Sequence, residues 1–203
     1  MTEEDNDAET GPGRPALADQ RGVETVYQPA ADSDLLARTA RKRVEAGDRA
    51  LDVGTGSGYV AAELADAGAD AVGVDLSPLA VRQAADNGVA VVRGDLVAPF
   101  RDDTFDLALF NPPYLPTPAE AEWDDWMEHA LSGGEDGRRL VDPFLDSVGR
   151  VLTPDGEALL LVSSLTDPDA VLTYAREQGL RGESIASEKH PYERLVVLRF
   201  SEF

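Results

Sequence analysis

The chain contains no cysteine, which excludes disulfides, thiolate nucleophiles and cysteine-ligated zinc. Its two histidines, His129 and His190, are far apart in sequence, and neither has a partner at the spacing of metal ligands. We therefore expect no metal site. No apolar stretch approaches the length of a membrane span, and the amino terminus is acidic where a signal peptide would be basic. Together these absences predict a cytoplasmic protein.

Positive charge is also scarce, because 18 basic residues face 39 acidic ones and leave a formal net charge of -21. Lysine occurs only at Lys42 and Lys189, and the acidic residues are spread along the whole chain. This pattern is typical of the surface of a protein from a halophilic archaeon. A field of this sign repels phosphate backbones, so we do not expect bare DNA or RNA as a partner. Molar salt weakens that argument, because it shortens the Debye length to about 3 Å.

The chain divides by composition into a short tail and one domain. Residues 1–22 are rich in acid, glycine and proline and have almost no apolar content. Such a segment cannot offset its own ordering entropy, which predicts a disordered acidic tail. Residues 23–203 are numerous enough for one sizeable core and carry neither repeats nor an inter-domain linker. We expect a single domain there.

Within that domain, short apolar runs alternate with helical patterns. The pattern predicts five strands, over residues 49–53, 69–74, 89–92, 105–110 and 156–162. It predicts helices over residues 59–67, 78–87, 140–152 and 168–178, and a first helix capped by Asp32 or Ser33 that continues to about Glu45. Residues 182–189 and 192–200 suggest an antiparallel hairpin. The alternation favours an α/β, Rossmann-like fold with a mostly parallel sheet.

The first predicted strand runs directly into a glycine-rich turn, Gly54-Thr55-Gly56-Ser57-Gly58. Missing side chains in such a turn allow a ligand to approach backbone N–H groups at the start of a helix. Asp75 ends the second strand 21 residues after Gly54, where an acidic side chain accepts hydrogen bonds from a ribose diol. Taken alone, turn and acid fit a nicotinamide cofactor almost as well as another ribose-bearing cofactor.

The fourth predicted strand ends at the tetrapeptide Asn111-Pro112-Pro113-Tyr114. Proline cannot donate to a sheet ladder, so the tetrapeptide is expected at the rim of the sheet, where open α/β sheets bind ligands. It resembles the signature of methyltransferases that act on a planar, conjugated nitrogen, either the amide of glutamine or the exocyclic amine of adenine or guanine. The alternative is a proline turn that merely ends a strand.

Four motifs stand in the order and spacing of class I S-adenosylmethionine-dependent methyltransferases. They are the segment from Asp52 to Gly58, Asp75-Leu76-Ser77-Pro78, Gly94-Asp95-Leu96 and Asn111-Pro112-Pro113-Tyr114. The segment from Val26 to Ser33 resembles the V-Y-x-P-x-x-D-S/T motif of the HemK-type protein-glutamine methyltransferases. In particular, the chain resembles their archaeal and eukaryotic branch, which modifies the GGQ glutamine of the class I translation termination (release) factor.

The resemblance covers residues 23–203 and implies a fold and a cofactor. The implied fold is a seven-stranded sheet with an antiparallel C-terminal strand and helices on both faces. The implied methyl donor is S-adenosylmethionine, with S-adenosylhomocysteine as product. By resemblance, Asp75 holds the ribose hydroxyls, Asp95 accepts the adenine amino group and Leu96 covers the ring. The other implied cofactor-binding residues are Tyr27, Ser33, Asp52, Gly54, Thr55, Gly56, Leu76 and Asn111.

The tetrapeptide carries the implied chemistry. Asn111, Pro112 and Tyr114 are the expected catalytic residues, and with Pro113 they form the expected substrate-binding set. The Asn111 side-chain oxygen and the Pro112 carbonyl would accept the two N–H bonds of the target amide, while Tyr114 packs on it. Residues 115–140 are expected to form a loop or lid over this rim.

The resemblance also implies a partner, a small zinc-binding activator protein that docks on the edge strand Val89 to Val92 and forms a heterodimer. The helix near Val81 and Ala85 would contribute to that surface. The motifs are compatible with several rival functions. They are an amino-methyltransferase acting on adenine or guanine in nucleic acid, a protein-lysine methyltransferase, a nicotinamide oxidoreductase and a non-catalytic Rossmann scaffold. Arg138 and Arg139 are the only adjacent basic pair near the rim, which disfavours nucleic acid.

Overall fold

The computed structural model describes Val26, residues 28–116 and residues 132–203. The predicted tail, Tyr27 and most of the predicted lid lie outside the described residues. The described helices are α1 Ala31–Ala40, α2 Tyr59–Asp66, α3 Pro78–Asp86, α4 Val141–Val151 and α5 Pro168–Glu177. The strands are β1 Arg49–Val53, β2 Asp70–Asp75, β3 Val91–Arg93, β4 Phe105–Phe110, β5 Leu152–Ser163, β6 Leu180–Lys189 and β7 Arg194–Glu202. None of these helices has the length and apolarity needed to cross a membrane.

The seven strands form one sheet in the order β3-β2-β1-β4-β5-β7-β6. Strand β1 pairs in parallel with β2 and β4, and β4 pairs in parallel with β5. The final strand, β7, lies between β5 and β6 and is antiparallel to both. The predicted fold class is confirmed, including the antiparallel C-terminal strand and the position of β3 at a sheet edge.

Alternation along the strands divides the core into two layers. Leu107 and Leu109 of β4 face a layer that contains buried residues of α1 and α2, whereas Ala108 and Phe110 face a layer that contains α4 and α5. Helices therefore cover both faces. By the same alternation, the residue after Phe110 is directed to the α1 side of the sheet.

Strands β2, β3 and β5 differ from their predicted bounds, 69–74, 89–92 and 156–162, by one to four residues at each end, and the first helix differs in its cap as well. Helix α1 begins at Ala31, its N-cap residue Ala30 makes no side-chain cap hydrogen bond, and it ends at Ala40 instead of Glu45. Asp32 and Ser33 are not caps. They lie buried in the first turn, where the Asp32 carboxylate accepts hydrogen bonds from the Ser33 backbone N–H at 2.6 Å and from the Ser33 hydroxyl at 3.3 Å. The cap prediction was wrong because both side chains face the interior of the protein.

The topology brings the motifs to one edge of the sheet. Strands β1, β2, β3 and β4 are parallel neighbours, so their carboxyl ends meet at the same edge. The glycine turn, Asp75, the segment Gly94-Asp95-Leu96 and Asn111 follow or end these four strands in turn. Motifs separated by almost 60 residues are thereby collected on one rim.

Helix α4 supports this rim through Phe144, which is fully buried and packs on Phe110 with the ring centroids 5.0 Å apart. We predict that Phe144→Ala lowers the free energy of unfolding by about 3–5 kcal/mol, because it leaves a cavity behind the end of β4. Phe203→Ala, at a residue that is 74% exposed, is the matched control and should change it by less than about 0.5 kcal/mol. Denaturant unfolding of both variants measures the difference, and equal losses would contradict this account of the core.

Candidate active site

A cavity of about 360 Å³ opens at the carboxyl edge of the parallel strands. This volume lies within the range of about 300–1,000 Å³ that is common for small-molecule sites. The predicted site residues that line it are Ser33, Asp52, Gly54, Thr55, Gly56, Asp75, Leu76, Asp95, Leu96, Asn111 and Pro113. Residues from four strand ends and from α1 therefore meet in one cavity.

The glycine turn forms the floor of this cavity and needs its glycines for conformation and for space. Gly54 and Gly56 have φ values of 62° and 55°, a region that side chains disfavour. A Cβ atom on Gly54 would lie 3.1 Å from the Phe110 ring. The backbone of the turn thus lines the cavity, and Gly54 packs closely against the Phe110 ring.

Asp75 sits at the end of β2 with its carboxylate held in place by backbone donors. The Gly56 N–H donates to one carboxylate oxygen at 2.9 Å, and the Ser77 N–H donates to the other at 2.8 Å. Burial raises the pKa of this carboxyl group, and the backbone hydrogen bonds oppose that rise. A carboxylate has about four acceptor positions, so Asp75 retains capacity for further donors in the cavity.

Asp52 is the second carboxylate of the site and is almost fully buried. One carboxylate oxygen accepts two hydrogen bonds, from the Thr55 hydroxyl at 2.6 Å and from the Ala61 N–H at 3.2 Å. The pKa of Asp52 is raised to about 7, chiefly by burial. The hydrogen bonds from Thr55 and Ala61 lower this pKa, and the nearby Asp75 charge raises it further. Asp52 therefore changes charge near neutral pH, and a cation bound beside it would favour the ionised form.

Asn111 lies between β4 and helix α1, on the side that strand alternation indicates. Its side-chain N–H donates to the Ser33 hydroxyl oxygen at 3.4 Å. Its side-chain oxygen is buried and has no hydrogen-bond partner among the described residues. A buried acceptor without a donor is uncommon in folded proteins, and the described residues supply no donor to this oxygen.

The other residues of the tetrapeptide have different surroundings. Pro113 lines the cavity, whereas Pro112 and Tyr114 are not among the described residues that line it. The Tyr114 hydroxyl donates to Asp32 at 3.5 Å, and its side chain lines a second, smaller depression beside the cavity. Tyr27, the remaining predicted site residue, lies outside the described residues.

Other residues that line the cavity were not predicted as site residues, among them Val26, Pro29, Tyr59, Arg139 and Leu140. Arg139 belongs to the described segment that begins at residue 132, and its guanidinium donates to the Ser132 carbonyl at 2.7 Å. The hydroxyl of Tyr59 donates to Asp34 at 2.7 Å, which contributes most to raising the pKa of Tyr59 to about 12. In the sequence, only the adjacent pair Arg138-Arg139 indicated a basic side chain near the rim. Which of the two side chains faces the cavity depends on the tertiary fold.

Comparison with known families places the chain among methyltransferases. A family model described as a methyltransferase domain matches residues 51–112. A protein named as a protein N5-glutamine methyltransferase in Methanocaldococcus jannaschii is 35% identical over 183 residues, which cover 85% of this chain and 90% of that protein. Methyltransferase HEMK2 of Homo sapiens is 33% identical over 205 residues, which cover 94% of this chain and 93% of that protein.

A solved structure agrees with these relatives. The E. cuniculi Mtq2-Trm112 complex, responsible for methylation of the eRF1 translation termination factor, contains a chain with a TM-score of 0.73 and 26% sequence identity. The match covers 87% of this chain and 98% of that chain. Sequence and structure thus converge on one group of enzymes.

The raised pKa of Asp52 predicts a pH dependence of stability. Its folded-state pKa of about 7 exceeds the ordinary value of 3.8, so between these values the folded protein holds a proton that the unfolded chain releases. The free energy of unfolding should therefore fall as the pH rises through this window. Asp52→Asn removes the titration, and we expect it to gain on the order of 2 kcal/mol relative to the unmodified protein between pH 5 and pH 8.

Denaturant unfolding at constant salt and several pH values measures this effect. Asp86→Asn, at an exposed residue of α3, is the control and should retain the pH slope of the unmodified protein. If Asp52→Asn kept that slope as well, the assignment of the titration to Asp52 would be wrong.

Proposed function

The chain belongs to the archaeal and eukaryotic branch of the HemK-type, S-adenosylmethionine-dependent protein-glutamine N5-methyltransferases, and from this premise we propose that it methylates the GGQ glutamine of the class I release factor. The observation that carries the proposal is the buried Asn111 side-chain oxygen, which has no partner among the described residues. A glutamine side-chain NH2 group is a donor of matching size and polarity. The Mtq2-Trm112 relative acts on a termination factor, which supports the same substrate here.

The residues of the cavity fit S-adenosylmethionine, the methyl donor of this family. We propose that Asp75 accepts hydrogen bonds from the ribose hydroxyls, since backbone donors already orient its carboxylate. Asp95 and Leu96 would contact the adenine, with Leu76 beside it. The turn at Gly54, Thr55 and Gly56 would hold the methionine part, with Asp52 and Ser33 near its charged groups. Tyr27 is the remaining proposed cofactor-binding residue.

Asp52 and Asp75 suit this cofactor electrostatically. Both carboxyl groups have raised pKa values because of burial, so both gain when a cation or several donors enter the cavity. The methionine part carries an ammonium, which would favour the ionised form of Asp52. The buried acid is thus neutralised by its ligand instead of by a neighbouring basic side chain.

The reaction needs orientation more than acid or base catalysis. The lone pair of an amide nitrogen is delocalised, which makes it a weak nucleophile. When bound, S-adenosylmethionine supplies an electrophilic methyl group on a sulfonium. We propose that the Asn111 side-chain oxygen and the Pro112 carbonyl accept the two N–H bonds of the target amide. Two fixed acceptors would hold the nitrogen and favour the positive charge that develops on it.

The rigidity of this acceptor pair comes from its surroundings. Phe110 is anchored on Phe144, and the Asn111 amide is tied to Ser33 of helix α1. Pro113 limits the backbone of the turn and lines the cavity. Tyr114 would pack against the substrate next to the amide, at the boundary between the cavity and the neighbouring depression. Pro112, Pro113 and Tyr114 are thus proposed to bind the substrate together with Asn111.

We further propose that a small zinc-binding activator protein binds along β3. The Mtq2 relative was solved in complex with Trm112, which supports such a heterodimer. In this chain β3 is an edge strand of only three residues, and Val92 on it is 38% exposed. Leu76, which is 56% exposed, adjoins it, because the Arg93 side chain donates to the Leu76 carbonyl at 3.1 Å. An exposed apolar edge of this kind favours pairing with a partner.

Incubation with labelled S-adenosylmethionine tests the substrate. We expect label on the GGQ glutamine of a release factor, and none on a lysine-bearing protein without that motif or on duplex DNA. Asn111→Ala should lower kcat by about two to three orders of magnitude, as for loss of one preorganised polar group, and change the cofactor Kd only slightly. Peptide mass spectrometry locates the methyl group, and calorimetry measures the Kd.

The outcomes of this assay separate the alternatives. Label on DNA or on a lysine, with none on glutamine, would overturn the proposed substrate. Full activity of Asn111→Ala would leave the substrate in place and overturn the proposed acceptor role.

Copurification tests the activator surface. Val92→Arg introduces a charge on the edge of β3 and should reduce the amount of bound activator at least tenfold. Phe203→Arg, at an exposed residue after β7 and away from β3, is the matched control and should bind normally. An unmodified chain that is monomeric and fully active without any added subunit would contradict the heterodimer.

A further inference from the structure

A second depression, of about 280 Å³, lies beside the cavity. It is formed by the start of helix α1 and by the turn between β6 and β7, and its lining residues include Asp32, Tyr114, His190, Tyr192 and Glu193. The proposed methyl transfer does not use His190, Tyr192 or Glu193. Their place next to the reaction centre therefore needs a separate explanation.

The depression and the cavity share a thin wall. Ser33 lines the cavity, and its neighbour Asp32 lines the depression. In the same way, Pro113 lines the cavity and Tyr114 lines the depression. A glutamine side chain that enters the cavity at Asn111 thus leaves its main chain at the outer rim of this wall. The peptide on one side of that glutamine would then pass Tyr114 and reach the depression.

Two polar atoms of the depression residues are buried without a partner. They are Glu193 Oε2 and His190 Nε2, neither of which makes a hydrogen bond within the described part of the chain. His190 Nε2 is 3.4 Å from a Glu188 oxygen, yet not in hydrogen-bonding geometry. Unpaired buried polar atoms are rare, and they become favourable when a ligand brings the missing donors and acceptors.

The turn that carries these atoms is well defined. The His190 N–H donates to the Glu193 carbonyl at 2.8 Å, and Pro191 restricts the backbone between them. The Ser164 hydroxyl accepts a hydrogen bond from the Arg194 N–H at 3.0 Å and so joins the turn to the end of β5. Tyr192 is nevertheless 95% exposed. An exposed aromatic side chain on a fixed turn is well suited to contact another protein.

We propose that this depression is a subsite for the protein substrate, which binds the main chain of the peptide that flanks the methylated glutamine. The inference rests on the proposed function and adds to it a second contact area. Glu193 accepts a hydrogen bond from a peptide N–H of the substrate, and Tyr192 packs on the same segment.

A peptide group fits this subsite better than a single cation does. Glu193 Oε2 can only accept when ionised, whereas the His190 ring nitrogen can donate or accept. A main-chain peptide group offers both an N–H and a C=O, and can therefore satisfy both atoms. A lysine or arginine side chain offers donors alone and would leave His190 Nε2 unpaired whenever that nitrogen donates.

Steady-state kinetics with the release factor as substrate, in assays that contain the activator, test this inference. We expect Glu193→Ala and Tyr192→Ala each to raise KM for the release factor about tenfold, with kcat and the Kd for S-adenosylmethionine within about twofold of the unmodified enzyme. Glu193→Gln keeps a side-chain oxygen acceptor and should raise KM by no more than about threefold. Phe203→Ala, at the far end of β7, should leave all three constants unchanged.

The results distinguish failure of the subsite from failure of the proposed function. If the unmodified enzyme methylates the release factor and KM is unchanged in Glu193→Ala and Tyr192→Ala, the subsite is overturned. The proposed function is then unaffected. A different result would be that Glu193→Gln raises KM as much as Glu193→Ala does and that this defect disappears at high salt. That result would show that a cation binds there and would overturn the main-chain contact. If the unmodified enzyme does not methylate the release factor, the proposed function fails and the subsite fails with it.

Discussion

A buried amide oxygen that lacks a donor costs a protein about 1–3 kcal/mol, and Asn111 carries such an oxygen at the end of β4. The surrounding fold keeps it there. Phe110 and Phe144 fix the end of the strand, and Ser33 of α1 accepts from the Asn111 amide nitrogen. The fold itself thus holds this oxygen in place, which is the preorganisation that the proposed acceptor role requires.

The carboxylates of buried Asp52 and half-buried Asp75 are likewise held in place by the fold. Asp52 and Asp75 are held by Thr55, Ala61, Gly56 and Ser77, all of which donate from hydroxyl or backbone groups. No basic side chain is among these donors, and burial raises both pKa values. A salt bridge at either position would have stabilised the empty site and competed with a ligand. Because these donors are neutral, a cation that entered the cavity would meet no competing positive charge among them.

Sequence reasoning was most accurate where one local rule determines the outcome. Strand β4 matches its predicted bounds, since an apolar run ends at two prolines. Helix α3 begins where Ser77-Pro78 indicated, with the Ser77 hydroxyl accepting from the Ala80 N–H at 3.4 Å. Tertiary contacts decided the failures. Asp32 is buried beside Tyr114, whose hydroxyl donates to it at 3.5 Å, and Arg139 reaches the cavity from a segment that is far from the glycine turn in sequence. Neither contact is visible in a local pattern.

The position of Tyr114 connects the two compartments of the rim. A tyrosine that only stacked on the target amide would need to line the cavity, yet this side chain lines the neighbouring depression and its hydroxyl donates to Asp32. The same bond ties the tetrapeptide to the first turn of α1, where Ser33 meets Asn111. Helix α1 thus fixes both ends of the tetrapeptide, one through each of two adjacent residues. In the proposed function, a peptide that displaced Tyr114 would release Asp32, whose neighbour Ser33 contacts Asn111, so α1 would couple peptide binding to the orientation of the target amide.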